Sequence, residues 1–444
     1  VVVRKVSDNI ITAVSLLYHL RKSTLIKYFT VENFRSLKTE NILEFDANLE
    51  TNSMFAAHPV IGFAGTNASG KTTILQCLSL VFWFMQHSFL RLEEDAEIPC
   101  EPFYSLKATP TKFHLIFAKN TLVDGTHKVI EYDYKLEVTQ KKVLMEELYY
   151  YSPDETPQLA YLRQENEVKF GEGIGPIDTK DLRPNCSLIS LAAQFASQEV
   201  AKAGKAHKIQ SNVNYKGLKE DESKVAMIRK LLENKEFGEE KLLEFLKIAD
   251  VGIEGVYLKD VDKEEADQFF LEEQLGKTKL PPEVLAKLAK LRNGRQDDKV
   301  RIRTLFFKHQ IDGNLADFTP EMESAGTLQL LFLLYRMLHA FKEGGVLIVD
   351  ELELKLHQNL VAYLIGLFQS PSANPQGAQL IFSFHNSSLM EFLKPEQLWF
   401  TEKNDQGQTE LFSAAQFHDL KELLDDNLEE LYRIGRFGAT PRGI

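Results

Sequence analysis

Gly65-Thr66-Asn67-Ala68-Ser69-Gly70-Lys71-Thr72 satisfies every fixed position of the pattern G-x-x-x-x-G-K-[ST]. The apolar run Val60–Ala64 before it reads as a strand. Residues 72–89 after it, apolar and free of glycine and proline, read as a largely buried helix. Strand, glycine-rich loop and helix in this order form a phosphate cradle. The glycines let backbone N–H groups close around the oxygens, and the helix N-terminus adds a favourable dipole. The expected contacts run through Gly65, Asn67, Ala68, Ser69, Gly70, Lys71, Thr72 and Thr73, with the Lys71 ammonium on the outer phosphates and the Thr72 hydroxyl on Mg2+. The ligand this predicts is ATP with Mg2+.

A second half for such a site lies far along the chain. Val346-Leu347-Ile348-Val349 is an apolar strand that ends in Asp350-Glu351. Buried strands often end in acids, so this alone says little; paired with the phosphate loop, it assigns Asp350 to Mg2+ and Glu351 to the attacking water. Glu323-Ser324-Ala325-Gly326-Thr327 precedes an expected helix over residues 327–341. Ser324 there is a plain N-cap or, with Gly326, an anion-binding helix end. His385 follows the expected strand Gln379–Ser383, where it either meets a γ-phosphate and orients water or is a bonded loop histidine.

Around these motifs, residues 25–31 and 42–45 read as strands, and residues 112–151 alternate as antiparallel strands, with Asp124-Gly125 as a hairpin turn. Residues 188–200 read as a helix, 219–249 as a charged amphipathic stretch, 359–369 as a helix, and the end of the chain as a polar region. The divisions expected are an N-terminal extension at 1–24, an N-terminal ATPase lobe at 25–203, a helical insertion at 204–303 and a C-terminal ATPase lobe at 304–444.

The formal net charge of -12 argues against a surface that is basic throughout, although Lys277, Lys279, Lys287, Lys290, Arg292 and Arg295 make a local basic run. Cys77, Cys100 and Cys186 are odd in number and without C-x-x-C spacing, which speaks against a disulfide framework or a zinc site and for a reducing cytoplasm. No apolar run reaches the roughly 18 residues that cross a bilayer uninterrupted, so no membrane partner is expected. The stretch 10–20 follows Arg4 and Lys5 but lacks a small-residue cleavage site, and reads as an extension or short amphipathic helix.

Together the motifs resemble the SMC-like ABC ATPases, and more closely the RloA-like ATP-binding proteins of prokaryotic anti-phage and restriction-linked loci. The resemblance is carried by Phe34-Arg35-Ser36, the phosphate loop, Glu323 to Thr327, Asp350-Glu351-Leu352-Glu353-Leu354-Lys355-Leu356-His357 and Phe384-His385-Asn386. It extends to residues 397–403 and to Gly435-Arg436-Phe437-Gly438-Ala439. Much of it is shared with the ATPase halves of OLD-type nucleases and the PARIS defence ATPase. It implies an α/β fold: an ABC-type P-loop ATPase with a mixed sheet, an antiparallel β subdomain and a helical insertion. It also implies ATP held between two subunits of a homodimer or higher oligomer, Arg35 on nucleotide, Ser324 and Gly326 reaching the partner's γ-phosphate, residues 354–357 as a loop across the dimer, and His385 as a switch histidine. The chain departs from the pattern with Phe384 in place of a usual threonine and with Lys355 and Gln358 in the dimer loop. The glutamine that usually reads Mg2+ has no clear counterpart, with Gln194 a weak candidate.

Three functions follow as expectations. The first is an ATPase that senses phage or DNA and regulates a separate effector, a nuclease or toxin. The second is a DNA-repair or DNA-binding ATPase acting directly on nucleic acid. The third, a transporter motor, lacks its Leu-Ser-Gly-Gly-Gln signature. About sixty residues follow His385, fewer than a typical added domain, so an intrinsic nuclease is not expected.

Overall fold

Two kinds of hydrophobic pattern, continuous and alternating, build two different sheets. The computed structural model describes residues 24–45, 57–123, 126–151, 156–175, 177–195, 199–205, 209–213, 232, 243, 245–247, 252–262, 301–417 and 428–439. The chain divides into a unit of Val1–Glu220 with Arg336–Ile444 and a unit of Asp221–Tyr335.

In the first unit the elements up to the division are β1 (Thr24–Glu32), β2 (Asn41–Glu44), β3 (Val60–Ala64), α1 (Lys71–Arg91), β4 (Thr111–Val123), β5 (Thr126–Val138), β6 (Val143–Tyr151), β7 (Gln158–Gln164), β8 (Glu167–Phe170), α2 (Leu188–Phe195), α3 (Glu199–Lys205) and β9 (Ile209–Ser211). In the second unit are β10 (Ile253–Asp262), β11 (Arg301–Ile311) and β12 (Asn314–Phe318). Helix α4 (Ala325–Glu343) begins in the second unit and ends in the first, which continues with β13 (Val346–Val349), α5 (Gln358–Gln369), β14 (Gln379–Ser383), β15 (Leu398–Lys403), β16 (Thr409–Ser413) and α6 (Leu428–Arg433).

The first sheet is antiparallel, in the order β2-β1-β4-β5-β6-β7-β8. It draws on alternating strands: Phe113, Leu115 and Phe117 of β4 face the core and pair with Leu136, Tyr134 and Tyr132 of β5. The second sheet has the order β16-β15-β3-β14-β13-β9, parallel from β15 to β9 with β16 antiparallel at the edge. Its β3, β13 and β14 are buried at every residue, as a parallel sheet covered on both faces requires. Helix α1 is buried through most of its circumference, from Ile74 to Met85, and ends on Arg91, a charge that suits a helix C-terminus. It is long and apolar enough to cross a membrane, but 67% of that window is buried inside the protein.

A buried amide links the sheets. Gln379, fully buried at the start of β14, accepts from the Ile26 N–H of β1 at 3.0 Å and donates to the Ile26 and His58 carbonyls. A buried ion pair anchors the far side of the antiparallel sheet. Glu146 and Arg163 are both fully buried at 3.6 Å, and Glu146 also accepts from Tyr134 and from the Leu188 N–H that opens α2. Arg163 spends its remaining donors on the Glu165, Cys186 and Arg183 carbonyls, so neither charge is left unsolvated. Cys77, Cys100 and Cys186 are free thiols, all buried. Burial pushes the Cys77 thiol far up, lifts Cys100 to about 12 and raises Cys186.

In the second unit, β10, β11 and β12 form an antiparallel sheet. Asp312 and Gly313 both take positive φ (49° and 79°) between β11 and β12, the conformation a two-residue Asp-Gly hairpin demands.

Several local expectations change. The helix expected over residues 188–200 is two helices, α2 and α3. The range read as a helical insertion contains strands beside its described helical positions at 204–205, 232, 243 and 245–247. Ile209–Ser211 extends the parallel sheet beside β13, and Ile253–Asp262 pairs with β11 along its length. In β10 only Ile253 and Val256 are buried among its described side chains, three apart across a register shift between Ile253 and Gly255, so no two-residue apolar period marks the strand. Most of 219–249, all of 264–300 with the basic run, and the Asp124-Gly125 turn lie outside the described residues. The polar end of the chain contains β15, β16 and α6. There Phe400 of β15 is stacked on Phe437 at 4.9 Å and Tyr432 at 5.6 Å.

Candidate active site

The phosphate loop leaves the buried end of β3 and enters α1. Its shape is set from below by the β15–β16 hairpin. Thr409 donates to the Ser69 carbonyl at 2.8 Å, and the Ser69 and Thr401 hydroxyls lie 2.6 Å apart. Two glycines are required by this contact. A Cβ on Gly65 (φ 143°) would sit 2.3 Å from the Thr401 carbonyl oxygen, and one on Gly70 (φ 119°) would sit 2.3 Å from the Thr409 hydroxyl. Asn67 and Ala68 are exposed at the tip, with Ala68 also at positive φ (62°). Lys71 is buried, and its ammonium donates to the Gly65 and Thr66 carbonyls at 2.7 and 3.0 Å. Burial holds its pKa below the usual lysine range, against the pull of Asp350, Glu353 and Glu351 in that order. Thr72 is exposed, while Thr73 is half-buried.

The acidic turn after β13 meets the start of α1. The Thr72 hydroxyl donates to Asp350 Oδ2 at 2.8 Å across 278 residues of sequence. Ser383, at the end of β14, donates to Asp350 Oδ1 at 2.5 Å and accepts from the Glu351 N–H at 2.8 Å. Asn212, just past β9, brackets the Asp350 backbone: its Oδ1 accepts from the Asp350 N–H at 2.8 Å and its Nδ2 donates to the Asp350 carbonyl at 3.1 Å. Asp350 is thus fixed by the three strands β9, β13 and β14 and by α1. Octahedral Mg2+, with bonds of about 2.1 Å, sets adjacent oxygens about 3 Å apart. The Thr72–Asp350 oxygen pair fits that edge. A hydroxyl and a single carboxylate are a usual protein share for Mg2+, with phosphates and water completing the shell. Among the described residues, no three His, Cys, Asp or Glu side chains converge as a metal cage.

Glu351 takes positive φ (53°), and its side chain is 44% exposed; its Oε1 lies 3.4 Å from His385 Nε2. His385 therefore sits beside the acid expected to act on water. Arg35, at positive φ (50°), directs its guanidinium onto Gln76 of α1, one turn after Thr72, and lies 3.5 Å from Glu101. It borders the helix that opens at the phosphate loop, with Gln76 and Glu101 as polar partners. In the second unit, the Ser324 hydroxyl accepts from the Thr327 N–H at 3.0 Å and so caps α4; Gly326 lies in the first turn. Gln194 is exposed on α2, and the amide beside Asp350 belongs to Asn212. Asn212 and Ser383 have no spacing signal of their own. Each could have been found only by noting a short polar residue at the C-terminal end of a core strand, where ligands of parallel sheets collect.

The family model described as "AAA domain, putative AbiEii toxin, Type IV TA system" matches residues 243–391, less than half of the chain. That span includes Glu323 to Thr327, Asp350, Glu351 and His385, and leaves out the phosphate loop and Phe34-Arg35-Ser36, which precede it, and residues 397–403 and 435–439, which follow it. Among solved structures the chain is similar to the SMC head domain from Thermotoga maritima, at 14% identity over 87% of this chain and 98% of that one, with a TM-score of 0.38. It is also similar to the recombination mediator protein RecF with ATP in the RecFOR pathway, at 14% identity over 89% of this chain and 99% of that one, with a TM-score of 0.35. No curated protein matches.

Proposed function

We propose that this chain binds ATP with Mg2+ and hydrolyses it, and that the ATPase regulates a separate effector, a nuclease or toxin, in anti-phage defence. The observation that carries the ATPase reading is the 2.8 Å contact between Thr72 and Asp350, which joins the phosphate loop to the acidic turn. Bound Mg2+ would neutralise phosphate charge at this point. Lys71, already inside the loop, exchanges its two carbonyl contacts for phosphate oxygens. Asp350 is held by Ser383 and Asn212, so it need not reorganise to accept the ion. Glu351 accepts the proton of the attacking water, and His385 steadies that carboxylate.

The regulatory half of the reading draws on the toxin–antitoxin wording of the matching family model. It also draws on the way the described residues after His385 are built into the nucleotide core as β15, β16 and α6. ATP between the phosphate loop of one copy and Ser324 and Gly326 of another would make subunit geometry depend on the γ-phosphate, and an effector that prefers one geometry would be held or released accordingly.

The test uses the purified chain and its Glu351→Gln variant. Phosphate release by the wild type is expected. The variant should keep ATP affinity, turn over about 10²–10⁴-fold more slowly, as loss of a general base does, and accumulate as an ATP-dependent dimer in light scattering. A wild-type chain without ATP affinity overturns the reading. Cleavage of plasmid or tRNA by the chain alone, lost in the variant, would move the effector inside it.

A further inference from the structure

Strands β13 and β14 stop pairing at Val349 and Phe382. Beyond that point the acidic turn and the segment 383–386 run on side by side without a ladder. Side-chain and backbone contacts replace it: the Ser383 hydroxyl on Asp350, the Glu351 N–H on the Ser383 hydroxyl, the Leu352 N–H on the Ser383 carbonyl at 3.0 Å, and a side-chain bond from Glu353. Glu353 Oε1 accepts from the His385 N–H and, at 3.3 Å, from the Asn386 N–H. Its other oxygen, Oε2, is buried with no hydrogen-bond partner among the described residues. The turn that carries it is itself closed by Leu354 N–H on the Glu351 carbonyl and Leu356 N–H on the Glu353 carbonyl, both 2.9 Å, with Lys355 at positive φ (64°).

We propose that Glu353 is a positioning residue, whose carboxylate grips the backbone of His385 and Asn386 and so keeps the His385 ring against Glu351. The proposal rests on the reading of this site as an ATP-hydrolysing centre. The His385 N–H bonds to Glu353 and not to a neighbouring strand, and its ring, 39% exposed, meets Glu351. Two adjacent N–H groups converging on one oxygen fix the direction in which the chain leaves β14, and with it the direction of the imidazole. Asn386 is fixed by the same grip, and its side chain caps the short helix of residues 387–392 through the Ser388 N–H at 3.1 Å. One carboxylate thus joins the turn that bears Glu351 to the segment that bears its histidine partner. Its charge also reaches Lys71, more strongly than that of Glu351 does. A direct chemical part for that charge is therefore the competing account.

Glu353→Ala and Glu353→Gln separate the two. Glutamine keeps an acceptor oxygen in the same place and removes the charge. Positioning predicts that Glu353→Ala lowers kcat about 10²-fold, the loss a displacement of about 1 Å brings to a reacting group, with KM for ATP within about twofold because binding is untouched. Glu353→Gln should restore kcat to within about threefold of the wild type, since geometry and not charge is retained. Amide hydrogen exchange over residues 384–387 supplies a second arm that needs no turnover: protection of His385 and Asn386 should vanish in Glu353→Ala and persist in Glu353→Gln. Unchanged exchange in Glu353→Ala overturns the proposal whether or not the chain proves to be an ATPase. A Glu353→Gln variant as slow as Glu353→Ala overturns it in favour of charge. Unchanged kcat in Glu353→Ala overturns it as well. Absence of ATP affinity in the wild type would refute the functional reading alone, leaving the exchange arm to decide the role of Glu353.

Discussion

The two halves of the site are made in opposite ways. The phosphate loop is contiguous, and its chemistry belongs to backbone groups, a single lysine and the Thr72 hydroxyl; the rest of the molecule supplies a floor, Thr401 and Thr409, that dictates where glycine must stand. The acidic half is assembled from remote pieces. Asp350 is held by Thr72, Asn212 and Ser383, and Glu351 by Ser383 and His385. A loop of the first kind fails when its one charge is lost. A cluster of the second kind weakens by degrees, because each support can be removed singly.

That contrast can be broken by experiment. The largest effect is expected at Lys71. Lys71→Ala should lower ATP affinity by at least about 100-fold, since charge-assisted bonds contribute about 1.5–3 kcal/mol each and several converge on phosphate. Calorimetric titration would measure this, and the folded state should survive because the ammonium bonds only to its own loop. Ser383→Ala should do less: about a tenfold rise in the Mg2+ concentration needed for half-maximal turnover, the worth of one bond to a charged oxygen, with metal-free ATP binding unchanged. An equal loss in both variants would mean that the halves do not differ as described. The smallest effect separates two roles of Ser324. Ser324→Ala should cost about 0.5–2 kcal/mol in urea unfolding by removing the cap, whereas Ser324→Asp keeps the cap but sets a negative charge where a second copy's phosphate is expected. Stability retained together with loss of the ATP-dependent dimer would assign Ser324 to nucleotide. An intact dimer would leave it a cap.

The same contrast explains what the sequence reveals. Spacing alone identifies the phosphate loop, because its chemistry is local, and Val346–Val349 and Gln379–Ser383 are legible as strands because burial on both faces demands unbroken apolar runs. Asn212 and Ser383 are single polar residues whose role exists only once β9, β13 and β14 lie side by side. The pair Glu146 and Arg163 is hidden for the same reason: on paper each is an ordinary charge within an alternating strand. Strands β15 and β16 escape notice because the apolar part of β15 is as short as Leu398-Trp399-Phe400, and the turn between the strands is polar from Asn404 to Gln408. Residues 253–262 escape it because charged residues and a register shift between Ile253 and Gly255 leave no clean two-residue period.

The buried thiols carry a practical consequence. A thiol reacts with maleimide as its thiolate, and Cys77, Cys100 and Cys186 combine raised pKa values with burial. The folded chain should therefore be silent to thiol reagents at neutral pH without removal of any native cysteine. A single cysteine placed at exposed Asn67, on the tip of the phosphate loop, or at exposed Ser324 would become the one site that takes a fluorophore. The approach of nucleotide or of a second copy could then be followed optically in the otherwise natural protein.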